Sequence, residues 1–270
     1  MAITAADVKK LRDATGAGMM DAKKALTEAE GDFDKAIELL RVSGQAKAAK
    51  RSDRDASNGL VAAAGTTLIQ LASETDFVAK NDEFVALANE IVAAVDAAKA
   101  NGKEAAGQVK LASGKTVNEA VEALAITIGE KLELADAVHF EGDSHVYLHR
   151  RAADLPPQVG VIVEYSGDEK VAHGVALHIA AMSPVYVTRD EVPAETVENE
   201  RRIAEATARE EGKPEGALPK IVEGRVNGYF KDVVLVDQEA TVTEDKKTIG
   251  KYLEENGVSV SRFRRLAAGA

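Results

Sequence analysis

An α+β fold dominated by helices is predicted by three observations. Ala, the strongest helix former, supplies 48 of the 270 residues. Aromatic residues make up only 4% and Trp is absent, so the cores must be built from aliphatic side chains on closely packed helices. Capping signals recur ahead of apolar stripes at helical spacing, and only a few short β-branched runs interrupt them. The pattern divides into a three-helix module over residues 1–44, a linker over 45–58, and two small α+β core subdomains over 59–140 and 141–270. An antiparallel helical hairpin over 194–231 projects from the second subdomain.

Thr4, with Asp7 three residues later, is a capping-box variant for a first helix whose apolar face is Val8 and Leu11. That helix stops at Gly16. The turn Thr15-Gly16-Ala17-Gly18 leads to a second helix from about Met19 to Ala29, faced by Ala22, Ala25 and Leu26. Asp32 caps a third, with Phe33, Ala36, Ile37 and Leu40 as its buried stripe. The following SGQAKAAKRSDRDASNG loses any apolar face and reads as a linker, helical at its start. Its Lys47, Lys50, Arg51 and Arg54 are mixed with Asp53 and Asp55, the pattern of a solvated tether rather than a phosphate-binding patch.

Thr66–Leu71 is a strand. The loop Ser73–Lys80 leads to a long helix capped by Asn81 or Asp82, with Phe84, Leu87, Ile91, Val92 and Val95 on one face. Thr116 and Glu119 form a capping box for a helix striped by Val117, Val121, Leu124, Ile128 and Leu132. Val138–Phe140 and Val146–Leu148 flank Glu141–Ser144 as a candidate hairpin. Val159–Tyr165 is a strand, and Asp168 opens a helix that runs to Met182 and is stopped by Pro184. Charge-dense stretches with sparse anchors (Val197, Ile203, Leu218, Ile221, Val222, Phe230) surround the break Glu211–Pro214, giving the helical hairpin. Strands at Val233–Val236 and Val258–Phe263, with a helix near Thr248–Glu255, complete the second subdomain.

Charge and composition exclude several function classes. Lys+Arg number 34 against 45 Asp+Glu, a net −11, which argues against a direct nucleic-acid binder. With no Cys, disulfides, thiolate metal sites and a Cys nucleophile are out. No apolar run is long enough to span a bilayer, and MAITAADVKK carries no secretory signal pattern, so a cytoplasmic protein without a membrane contact is expected. The catalytic search returns no site. Ser113-Gly114-Lys115-Thr116 has the tail of a phosphate loop but not its first Gly, and reads as a helix cap. His145 and His149 lie four apart on a strand, about 13 Å, too far to share one ion. His178, among Ala176, Leu177, Ile179 and Ala180, reads as a packed or interface residue. No enzyme active site, metal or cofactor is expected.

Apolar side chains in odd places are the positive signal. Met19 and Met20 are adjacent after a Gly-rich turn, and both cannot face one thin core; Met also suits adaptable partner surfaces. Phe77, one of only six Phe, lies in a polar loop. From its neighbours alone, folding back over the sheet edge is its favoured place, with Asp76 capping a turn.

These same residues carry a family resemblance. Val8–Leu26, VKKLRDATGAGMMDAKKAL, closely resembles the N-terminal signature of bacterial elongation factor Ts. Glu74–Asn81, ETDFVAKN, is similar to its second signature and Leu177–Pro184, LHIAAMSP, to its third. Glu210–Arg225 resembles the turn of its helical hairpin. The four matches fall in order along nearly the whole chain. The resemblance implies a ubiquitin-associated-like N-terminal domain and guanine-nucleotide exchange on elongation factor Tu, the GTPase that delivers aminoacyl-tRNA. It implies that Thr75, Asp76, Phe77 and Val78 displace that partner's magnesium ion, and that Arg12, Met19 and Met20 dock on its GTPase domain. His178 is implied to lie near the same interface, and the hairpin to mediate a homodimer. The chain departs from the family pattern at Ala135-Asp136, where many relatives carry two Arg residues.

Overall fold

A computed structural model describes residues 3–269. The first helix, α1 (Ala5–Thr15), opens on the expected box: Thr4 Oγ1 accepts from the Asp7 N–H (3.2 Å) and Asp7 Oδ2 accepts from the Thr4 N–H (3.0 Å). It closes on Gly16, left-handed at φ 68°. Helix α2 (Met19–Glu28) and helix α3 (Phe33–Ala49, capped by Asp32) complete the module around Val8, Leu11, Ala25, Leu26 and Ala36. Ile37 is exposed rather than part of that stripe. Helix α3 also continues into the stretch read as a linker, and Lys47 Nζ returns to Asp21 of α2 at 2.9 Å.

The first sheet is antiparallel, ordered β1 (Asn58–Ala64), β2 (Thr67–Ser73), β3 (Leu132–His139). Its central strand is buried on both faces, with Leu68, Ile69 and Leu71 fully enclosed. The outer edge of β1 is blocked by chain rather than left open, as Val61 N–H donates to Pro157 O (2.8 Å). Between β2 and β3 run α4 (Asp76–Ala79), α5 (Asp82–Ala97, capped by Asn81), α6 (Lys103–Gly107) and α7 (Val117–Ile128, with the Thr116–Glu119 box). Phe84, Ile91 and Val95 of α5 and Val117 and Val121 of α7 pack on the sheet. Helix α3 meets α7 at a glycine: a Cβ on Gly44 would sit 2.7 Å from Ile126 Cγ2, so only Gly permits this approach without a shift.

The second sheet is ordered β4 (Ser144–His149), β5 (Val159–Ser166), β6 (Ser259–Ala267). Helix α8 (Glu169–Met182, capped by Asp168) packs on it, and α11 (Ile249–Glu255, capped by Thr248) joins the same core through Ile249 and Leu253. The helical hairpin is α9 (Ala194–Glu210) and α10 (Leu218–Val233), joined through Ala204, Val222 and Val226. Of its expected anchors, Ile203 faces solvent.

Four expectations are corrected. Residues 138–148 do not form a hairpin: β3 pairs with β2 and β4 belongs to the other sheet. Val233–Val236 is the end of α10 and a 3₁₀ turn (Leu235–Asp237), because the Val234 N–H is used by Phe230 O at the helix end. Leu132 opens β3 rather than extending the stripe of α7, which Gly129 ends, and strand β1 was not anticipated.

By contacts the chain forms two compact units. Unit 1 holds the residues up to His139, Arg150–Val159, and those from Leu266 on; unit 2 holds Phe140–His149 and Gly160–Arg265. Unit 1 is closed by the last segment, where Ala268 N–H donates to Gln158 O (2.8 Å) and Gly269 N–H to Ser57 O (2.6 Å).

Candidate partner-binding site

Residues 74–80 are not a free loop. Thr75 caps the single-turn helix α4, its Oγ1 accepting from Val78 N–H at 3.4 Å. The helix has few bonds of its own: Ala79 N–H to Thr75 O at 3.3 Å and Lys80 N–H to Asp76 O at 3.2 Å. A turn this short does not hold itself, and its rigidity comes from outside. Asn58 Nδ2 donates to Glu74 O (2.9 Å) and Ser73 Oγ to Thr75 O (2.9 Å). Glu130 accepts twice from Thr75, from the N–H at 3.1 Å and from the hydroxyl at 2.8 Å. In return, the Lys131 N–H donates to Glu74 Oε1 at 2.6 Å. Burial alone would raise the Glu74 carboxyl, but the Lys131 N–H and the Arg54 guanidinium 3.1 Å away outweigh it and hold Glu74 below its ordinary value.

On this support the side chains divide. Val78 and Ala79 point into the sheet core. Phe77 points out, 80% exposed, so the expected fold-back over the sheet edge does not occur. Asp76 lies 3.8 Å from Lys80 one turn on, and Lys80 is itself bound by Asp154 at 2.6 Å. That hydrogen bond to Asp154, chiefly, raises the Lys80 pKa.

The other candidates in unit 1 are on the three-helix module. Met19 and Met20, 57% and 77% exposed, open α2; not one but both leave the core. Arg12 is exposed on α1. A cavity of about 550 Å³ lies between α3 and α7, lined by both signs of charge (Arg41, Lys47 and Lys115; Asp21 and Glu119), and contains none of these three residues.

His178, in unit 2, is 0% exposed. Gln238 Nε2 donates to Asp232 O (2.8 Å), which turns Gln238 Oε1 toward the ring to accept from His178 Nε2–H (2.9 Å). Nδ1 is then the acceptor, from Thr241 N–H at 3.3 Å. Burial pushes the pKa of His178 below its ordinary value, although the bond to Gln238 opposes it. A side chain so enclosed is a packed one, and it holds Gln238 and Thr241 rather than presenting its ring at the surface. His145 spends both ring nitrogens, on Glu169 (3.2 Å) and His173 (2.9 Å). Among the described residues no group of three or more His, Asp or Glu could hold a metal ion, and no helix is long and apolar enough to cross a membrane.

Sequence reasoning missed Glu130, Lys80 and Asp154. The i, i+4 spacing of Asp76 and Lys80 was a local signal for one of them. Glu130 lies 55 residues from Thr75, and no local pattern points to it.

Comparison with known proteins points to one family. The family model described as Elongation factor TS matches residues 74–270, starting at Glu74 itself. A protein named Elongation factor Ts from Cutibacterium acnes is 64% identical over 270 residues, all of both chains. Another of that name from Nocardioides is 59% identical over 269 residues, 99% of each, and one from Mycolicibacterium vanbaalenii 60% identical over 267 residues, 98% of each. With relatives this similar from end to end, the chain belongs to the elongation factor Ts family.

Proposed function

We propose that this chain is a guanine-nucleotide exchange factor for elongation factor Tu, acting in the cytoplasm during translation elongation. It binds the GDP-bound GTPase, displaces its magnesium ion and speeds GDP release so that GTP can enter, with no covalent chemistry of its own. The observation that carries this reading is Phe77, a rigid aromatic left exposed on a turn whose backbone is held on both sides. A preorganised aromatic is the usual interface anchor. Seated in an apolar pocket of the partner, it stabilises a conformation with displaced magnesium ligands, one that bound nucleotide disfavours. The coupling is reciprocal, so GDP weakens this protein's binding by the factor by which this protein weakens that of GDP.

The other residues take distinct parts. Thr75 and Val78 fix the turn, one by capping and one by burial, and Asp76 orients it through Lys80. Arg12, Met19 and Met20 dock on the GTPase domain. His178 contributes from inside unit 2 by holding Gln238 and Thr241, and the α9–α10 hairpin pairs two copies of the chain. The test is stopped-flow release of a fluorescent GDP analogue from elongation factor Tu, with and without this protein. Release should accelerate and saturate with concentration. Binding without acceleration would make the protein a tethering adaptor and refute the reading.

A further inference from the structure

We propose that Glu130 is a positioning residue for exchange: its carboxylate, delivered from the α7–β3 connection, sets the direction in which Phe77 points. This rests on the exchange-factor reading above. Helix α4 is a single turn with few backbone bonds, those already described and Asn81 N–H to Val78 O (2.9 Å), so the orientation of Phe77 depends on what holds Thr75. The hydroxyl of Thr75 has two tasks. It must offer a lone pair to Val78 N–H, and its proton must go elsewhere; Glu130 Oε1, 2.8 Å away, takes that proton and fixes the rotor. Glu130 Oε2 takes the Thr75 N–H, which the helix cannot use.

The clamp is two-way. Gly129, left-handed at φ 89°, ends α7 and turns the chain so that consecutive residues face Glu74-Thr75. Glu130 accepts from Thr75, while the next N–H, of Lys131, donates to Glu74. The two segments therefore hold each other in register, and Arg54 offsets the charge on the Glu74 side. Without Glu130, the Thr75 rotor and N–H are released, and the turn bearing Phe77 can rock on Val78. Glu130 need not touch the partner to act in this way.

The experiment uses the full chain as wild type, Glu130→Ala, Glu130→Gln, Phe77→Ala and the double variant Glu130→Ala/Phe77→Ala. The saturating rate of GDP release from elongation factor Tu should fall about three- to tenfold in Glu130→Ala, the range of one net hydrogen bond. The concentration for half-saturation should change little. Glu130→Gln keeps one acceptor and should recover most of the rate. In the Phe77→Ala background, adding Glu130→Ala should slow release no further. A wild-type rate in Glu130→Ala overturns the proposal, as does a loss equally large with or without Phe77. Amide exchange at Thr75 and Val78 in the free chain is the second measurement, and it should quicken in Glu130→Ala. If wild type fails to accelerate GDP release, the exchange reading is what fails. The clamp is then judged by amide exchange alone, where unchanged protection overturns it.

Discussion

Removing the Phe77 ring should damage exchange and spare the fold. In the free chain the side chain is 80% exposed, so truncation opens no cavity, and surface changes of this kind stay within about 0.5 kcal/mol. For a chain of this size the melting temperature should move by less than about 2 °C. On docking, four-fifths of the ring remains to be buried. Full burial of a Phe is worth about 1.5–3 kcal/mol, so about 1.2–2.4 kcal/mol is available to the partner. At about 1.4 kcal/mol per decade, Phe77→Ala should lower exchange efficiency by about 7- to 50-fold. Stopped-flow GDP release measures the rate and calorimetry the stability, on the same preparation. The reasoning is refuted if Phe77→Ala melts several degrees lower yet exchanges normally per folded molecule, because the ring would then belong to a core.

Three further outcomes are expected. Gly44→Val drives a side chain into Ile126, 2.7 Å from where its Cβ would sit; overpacking of this kind costs about 1–3 kcal/mol. It should loosen α3 from α7, seen as faster amide exchange over residues 44–57 with β1–β3 unchanged; identical exchange throughout would show that the contact carries no weight. The pKa of His178 is lowered by burial from 6.5, so below 6.5 the unfolded chain takes up a proton that the folded chain does not. Its stabilising share is complete above 6.5 and declines as the pH falls toward the lowered value. His178→Gln should therefore lose less melting temperature than wild type between about pH 7.5 and about pH 5.5, and equal losses would contradict this. Replacing α9–α10 by a short linker should leave a monomer by sedimentation, whereas a persisting dimer would move the interface elsewhere.

Much of the fold was legible because its helices carry their own punctuation. Thr4, Asp32, Thr116 and Asp168 each cap the helix they were read to cap or open. Strand β1 was missed because GLVAAAG lacks the β-branched run that marks a strand; its identity comes from pairing Leu60 with Leu71 and Ala62 with Ile69. The false hairpin at 138–148 had the right local pattern, and only the competing partner β2 decides against it. At the site, the motif residues were visible but the state of Phe77 was not. Whether an aromatic in a polar segment is buried depends on surfaces distant in sequence. Burial of His178 followed from its Ala- and Ile-rich neighbours, while its bonds to Gln238 and Thr241 bridge 60 and 63 residues.

The way unit 1 is closed has a consequence for how the protein is made. The segment from Leu266 on supplies Leu266 and Ala268 to its interior, and its N–H groups bond Gln158 and Ser57. All of unit 2 is encoded before that segment. During synthesis the β1–β3 sheet therefore waits, with one flank incomplete, until the whole of unit 2 has left the ribosome. The second sheet is also completed late, because its strand β6 runs on to Ala267. Unit 1, although most of it is encoded first, is therefore not completed ahead of unit 2. A chain shortened by even a few residues should leave this flank of unit 1 open to proteases.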